Sequence, residues 1–247
     1  MNNLMRAVRS TLALCFLLLV FMPLSGQQKS VRKPGANVAG SAAVKTSGLI
    51  TKDIPDKIER KGNYLFYLHG LIIENEGIRP TSPKFGVYEY EEILETFKNK
   101  GFIVISEARP KGTDPEQYAA KVVEQIKELI KAGVAPRNIT VAGASRGGGI
   151  AMIASTLLKN RQVKFVIMAA CGDWDVYRKV GINLWGEILS VYDINDDMAG
   201  TCSDFFNKST GISKKREVVL KLGLGHGILY RPLKEWVDLV AEWARAS

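Results

Sequence analysis

The sequence predicts an α/β protein, a mostly parallel sheet with helices on both faces, from two observations. Its strand-like runs are apolar throughout, as strands covered on both sides must be, and they alternate with segments whose apolar residues fall at helical spacing. The composition agrees. Of 247 residues, 46% are hydrophobic and 24% charged, which excludes disordered, collagen-like and coiled-coil chains.

Taken in order, Met1 to Ser10 carries Arg6 and Arg9 without an acid, Thr11 to Met22 is almost wholly apolar, and Pro23-Leu24-Ser25-Gly26 supplies a breaker and small residues. That pattern predicts a signal peptide over 1–26, cut after Gly26, and hence an exported protein. The apolar run is shorter than the roughly 20 residues of a spanning helix, so no stable membrane anchor is expected. Loss of Arg6 and Arg9 lowers the formal charge from +9 to +7. Residues 27–52 are rich in Gly, Ala, Ser and Lys without hydrophobic periodicity and read as a flexible leader, which leaves 53–247 to fold.

Tyr64 to Leu68 reads as a buried strand ending at His69-Gly70, and Leu71 to Tyr88 as the longest irregular segment. Tyr90 to Lys100 places Ile93, Leu94 and Phe97 on one helical face and meets Gly101, a helix stop. Phe102 to Ser106 is the next strand. Asp114-Pro115-Glu116-Gln117 orders a capping residue, a first-turn proline and an N3 glutamine, so a helix starts there and runs to about Gly133. Asn138 to Gly143 reads as a strand, Ser145 to about Asn160 as a helix, and Val163 to Ala170, Ile188 to Tyr192 and Val218 to Leu222 as strands. Arg231 opens a terminal helix.

In a parallel sheet, ligands gather at the carboxyl ends of the strands, so chemistry is sought there. Gly143-Ala144-Ser145-Arg146-Gly147 lies between a predicted strand and a predicted helix, the context in which G-x-S-x-G presents a serine nucleophile on a sharp turn. Read blandly, it is a glycine-rich connection. A serine needs a general base, and the chain has only two histidines, His69 and His226, both at strand ends.

These residues resemble the α/β-hydrolase superfamily over about Tyr64 to Ala246, where the chain order is oxyanion loop, nucleophile elbow, acid, histidine. The resemblance implies a cap-less, esterase- or lipase-like serine hydrolase with Ser145 as nucleophile and His226 as base. It implies Gly143 and Gly147 as the elbow glycines, and the N–H groups of Leu71 and Arg146 as the oxyanion hole. His69 and Gly70 then brace the oxyanion loop. The acid stays open. The family often shows H-G-x-x-D after the penultimate strand, which places Asp196 there and Asp193 where glycine is usual. Asp193, Asp197 and, one strand earlier, Asp173 remain candidates, ordered Asp196, Asp193, Asp173. Only about Cys171 to Gly186 separates the neighbouring strands, too short for a helical cap. The implied substrate is a small ester or acyl compound. A peptidase or thioesterase on the same triad, and a catalytically silent binding module, are the alternatives.

Trp174, Tyr177 and Trp185 read as an acyl wall or as core, and Arg146 as an anion site or a salt-bridge partner. Cys171 and Cys202 remain after signal cleavage, either as a disulfide or as two buried thiols. The scattered His and Cys residues give no metal-ligand spacing, and no phosphate-cradling glycine motif occurs apart from the elbow, so no metal or cofactor is expected. Lysines such as Lys98, Lys100, Lys127 and Lys131 are dispersed rather than interleaved with aromatics, which argues against nucleic-acid binding.

Overall fold

The structure, a computed structural model, describes residues 48–172 and 179–246. The expectations for residues 1–26, most of the leader, Asp173, Trp174 and Tyr177 fall outside them.

Among the described residues the main sheet has seven parallel strands: β1 (Leu49–Thr51), β2 (Tyr64–Leu68), β5 (Ile103–Ile105), β6 (Ile139–Ala144), β7 (Lys164–Met168), β8 (Trp185–Asp193) and β9 (Gly211–Leu220). Their spatial order is β1-β5-β2-β6-β7-β8-β9, which puts β6 in the middle. The helices are α1 (Leu71–Glu76), α2 (Tyr90–Asn99), α3 (Pro115–Lys131), α4 (Arg146–Leu158), α5 (Ser203–Lys208) and α6 (Lys234–Arg245).

Strand alternation sorts the core into two layers. Tyr64, Phe66 and Leu68 of β2 pack with Ala119, Val122 and Ile126 of α3 and Ile150 and Ile153 of α4. Leu65 and Tyr67 point the other way, to Ile93 and Phe97 of α2 and Trp236 and Val240 of α6. Both faces of the central strands are therefore covered, which is why β2, β5, β6 and β7 are buried throughout. The cap of α3 forms as its sequence demands, the Asp114 carboxylate accepting from the N–H groups of Glu116 and Gln117 at 2.9 and 2.8 Å.

The structure departs from the sequence expectations in four places. The sheet begins at Leu49, inside the stretch read as leader, because Leu49, Ile50 and Thr51 pair with Ile103, Val104 and Ile105. Leu71 to Tyr88 is not irregular: it holds α1 and a small hairpin of β3 (Thr81–Ser82) with β4 (Gly86–Val87). The last strand starts at Gly211 rather than Val218. Its Lys214, Lys215 and Arg216 face solvent on an edge strand, a placement that masks the strand in a hydrophobicity reading and also discourages edge-to-edge pairing. Trp185 opens β8 at the end of the sheet away from the catalytic-type loops, so it forms no acyl wall.

Candidate active site

Pairing register sets the site. Leu68 lies beside Gly143, and Ala144 beside Met168, so the chain leaves β2 and β6 side by side at the carboxyl edge. Asp193 ends β8 opposite Leu220 of β9, and the loops that follow return toward the end of β6.

Between β6 and α4 the chain turns at Ser145, whose φ of 52° and ψ of −118° lie outside the comfortable regions for a residue with a Cβ. Such a conformation costs on the order of 1–3 kcal/mol and persists only where its surroundings hold it. Here the Ser145 N–H donates to the Met168 carbonyl at 2.8 Å, and its carbonyl accepts from Gly149 at 3.1 Å. The flanking glycines are steric requirements. A Cβ on Gly143 would collide with the backbone of Gly147, and one on Gly147 with the Leu68 carbonyl. Only a chain without side chains at both positions lets α4 start this close to β2.

His226 lies on a 3-10 turn, Gly225–Tyr230, just past β9, and is 5% exposed. Its Nε2 stands 2.9 Å from Ser145 Oγ and its Nδ1 2.8 Å from Asp196 Oδ2. The Asp196 side chain is fully buried, and its second oxygen accepts from the N–H groups of Met198 and Ala199 at 2.9 and 3.1 Å. With the carboxylate on Nδ1, the ring places Nδ1–H toward Asp196 and leaves Nε2 as acceptor for the serine hydroxyl, the tautomer a base requires.

The other acids have other occupations. Asp193 is fully buried and grips backbone: Oδ1 accepts from Asn195 and Gly225 at 3.0 and 3.1 Å, and Oδ2 from Leu222 at 2.8 Å. Burial on its own would raise its carboxyl, but the N–H donors of Asn195, Leu222, Gly225 and Gly223 outweigh it and leave the pKa below the ordinary value. Asp193 thus fastens the acid loop to the histidine loop. Asp197 is exposed and pairs with Lys84 at 3.2 Å.

Under the start of α1 lies His69, fully buried. Its Nε2 accepts the Arg109 N–H at 2.8 Å and its Nδ1 is 2.8 Å from the Gly70 carbonyl, which fixes a neutral ring donating to Gly70. Desolvation, helped by the neighbouring Arg109 charge, pushes its pKa down to about 3. Leu71 and Arg146 are the first residues of α1 and α4, positions whose N–H groups have no acceptor within their own helices. The Arg146 guanidinium pairs with Glu74 at 3.2 Å and donates to the Thr113 carbonyl at 2.7 Å, so it is not an open anion site.

Ser145 and His226 open into a cleft of about 290 Å³. Phe85, Tyr88 and Tyr230 form one wall, with ring centroids 5.2 Å apart for Phe85 and Tyr230 and 5.0 Å for Tyr88 and Tyr230. Leu71, Ile72, Met198 and Leu229 supply further apolar surface, and Asn75 and Glu76 the polar part. Burial pushes the Tyr88 phenol up to about 12 although the Tyr67 hydroxyl, 2.9 Å away, partly offsets it, so it stays a neutral wall residue. Among the described residues no group of three His, Cys, Asp or Glu side chains is placed to hold a metal ion.

Sequence reasoning missed Glu74, Arg109 and the aromatic wall. Arg109 had a positional signal, since it follows β5 at the same edge of the sheet. Glu74 had none, because α1 owes its shape to tertiary contacts rather than to periodicity.

No family model matches the sequence, and no curated protein is similar to it. Solved structures are. An α/β hydrolase, GrgF from Penicillium sp. sh18, superposes with a TM-score of 0.51 at 11% identity, over 76% of this chain and 91% of its own. This chain has the α/β-hydrolase fold. DcsB, solved with its substrate analogue, gives a TM-score of 0.51 at 15% identity, covering 76% of this chain and 91% of that one. Esterase PE8 gives 0.50 at 14%, covering 75% and 93%. Among the described residues no large cap is evident, and only residues 169–184 lie between β7 and β8.

Proposed function

We propose that this protein is an exported serine hydrolase that cleaves carboxylic esters. The observation that carries the reading is the unbroken chain from Asp196 through His226 to Ser145, with links of 2.8 and 2.9 Å at the mouth of an apolar cleft. In this reading Ser145 Oγ attacks the ester carbonyl as His226 Nε2 takes its proton, and Asp196 stabilises the imidazolium that forms. The tetrahedral oxyanion is held by the N–H groups of Leu71 and Arg146, both unused by their helices. His226 then protonates the leaving alcohol, and a water, activated the same way, releases the acid.

The structural neighbours, an esterase and a hydrolase among them, agree with this chemistry, although a fold of this kind hosts many. No Lys or Arg is among the described residues lining the cleft, which offers Glu76 and Asn75 instead. Neutral esters with compact apolar or aromatic acyl groups therefore suit it better than esters that carry a carboxylate. Export is supported by the pattern of residues 1–26 and by the Cys171–Cys202 disulfide, a bond favoured in oxidising compartments.

The test is a steady-state comparison of oxyester, thioester and amide substrates with the wild-type protein and Ser145→Ala. The reading expects oxyester turnover in the wild type and its loss in the variant. Hydrolysis unaffected by Ser145→Ala would refute it.

A further inference from the structure

A buried ionic cluster joins the two segments that carry the oxyanion donors. Glu74 is three residues beyond Leu71 on α1, and its side chain is fully buried. One of its oxygens accepts from Arg109 Nε at 2.8 Å, and the other pairs with Arg146 Nε at 3.2 Å. Arg109, whose side chain is also fully buried, donates in turn to the His69 carbonyl and packs its guanidinium over the Tyr118 ring at 5.2 Å. His69 holds the Gly70 carbonyl. Every backbone unit from His69 to Leu71 is thus tied to a cluster that ends on Arg146, the residue after Ser145.

An ion cluster is a poor way to stabilise a core. Removing the Glu74 and Arg109 charges from water costs about what their attraction returns, and apolar replacements of similar volume are often neutral or better. What such a cluster does well is tie segments together, here through the directional Arg109–Glu74 hydrogen bond and the close Glu74–Arg146 ion pair, which lacks hydrogen-bond alignment.

We infer that Glu74 is a positioning residue for the oxyanion hole, its carboxylate setting the separation of the Leu71 and Arg146 N–H donors by bridging Arg109 and Arg146. The inference rests on the serine-hydrolase reading. The bridge acts on the transition state alone, since the donors meet a developing oxyanion rather than the ground-state ester.

Glu74→Gln keeps the shape of the side chain and removes its charge. Loss of a whole oxyanion donor costs about 10²–10³ in kcat, and displacing one should cost less. The expected result is a fall of roughly 10- to 100-fold in kcat and in the rate of fluorophosphonate labelling of Ser145, with KM within about twofold. Arg146→Met, which leaves the backbone donor and a half-buried side chain in place, should show the same split, and Arg146→Lys should recover part of it. The double variant Glu74→Gln/Arg146→Met should lose no more than the worse single one. Should Glu74→Gln not fold, Arg146→Met and its Lys rescue decide the question. Wild-type kcat in folded Glu74→Gln or Arg146→Met, or a loss confined to KM, would overturn the inference while leaving the hydrolase reading intact. Absence of labelling in the wild-type protein would overturn both.

Discussion

Asp193 and Asp196 are three residues apart, equally buried at the side chain, and do opposite work. Asp196 points its carboxylate at the His226 ring, and Asp193 spends both oxygens on backbone N–H groups of its own loop and of the loop that carries His226. Exchange experiments should separate them. Asp196→Asn should lower kcat by up to about 10⁴, by misplacing the ring tautomer, with thermal stability nearly unchanged. Asp193→Asn turns one acceptor oxygen into a donor facing backbone N–H groups, and should destabilise the fold by about 1–3 kcal/mol in urea unfolding, with the remaining folded protein still active. A reversed pattern would assign the acid to Asp193. The sequence favoured this loop for the acid, with Asp173 one strand earlier kept as a third candidate, because strand ends are legible from hydrophobic runs. Asp196 came ahead of Asp193 only through the family pattern, since the physical choice depends on which way a turn after β8 points each side chain. His226 and Ser145 were easier: two histidines leave little choice, and the elbow glycines have a steric cause that local sequence displays.

Elements explain how the loops keep their places. The acid loop, residues 194–202, crosses from β8 toward α5 with Met198 on the surface, and it is secured at its far end by Cys202, whose disulfide partner Cys171 lies just past β7. The Cα atoms are 5.1 Å apart, well within bonding geometry, and the Cys202 N–H also donates to Glu217 of β9 at 2.7 Å. A cross-link spanning 31 residues stabilises by about 3–4 kcal/mol through the unfolded chain. Treatment with a reductant, or Cys171→Ser with Cys202→Ser, should therefore lower the unfolding free energy extrapolated from urea titration by about that amount, and reduce kcat several-fold before global unfolding. Unchanged stability and activity after reduction verified by mass spectrometry would separate the disulfide from the site. Sequence alone left thiols and disulfide equal, because pairing is a matter of separation in space. Local sequence also hid α1 and β9: the first is only six residues long, and the second hides behind its solvent-facing Lys and Arg.

For the molecule as a whole, the alternation of apolar strands and amphipathic helices was enough to give the sheet, its covered faces and the edge where function collects. Stability as a function of pH should carry the signature of His69. Its folded-state pKa of about 3 lies below the ordinary 6.5, so between these values the unfolded chain binds a proton that the native protein refuses. Stability contributed by this group is complete above about pH 6.5 and is lost as pH falls toward 3, on the order of 5 kcal/mol in total. The lowered Asp193 acts in the same direction at more acidic pH. Urea unfolding of the wild type across pH 3–7 should show this fall, and His69→Gln should flatten it.

The central claim is that Ser145 is the activated nucleophile of the α/β-hydrolase fold. Mass-spectrometric mapping of the folded protein after reaction with a fluorophosphonate tests it most directly. The account predicts one stoichiometric adduct on the peptide containing Ser145, abolished in His226→Ala. An unmodified Ser145, or labelling that His226→Ala leaves unchanged, would contradict it.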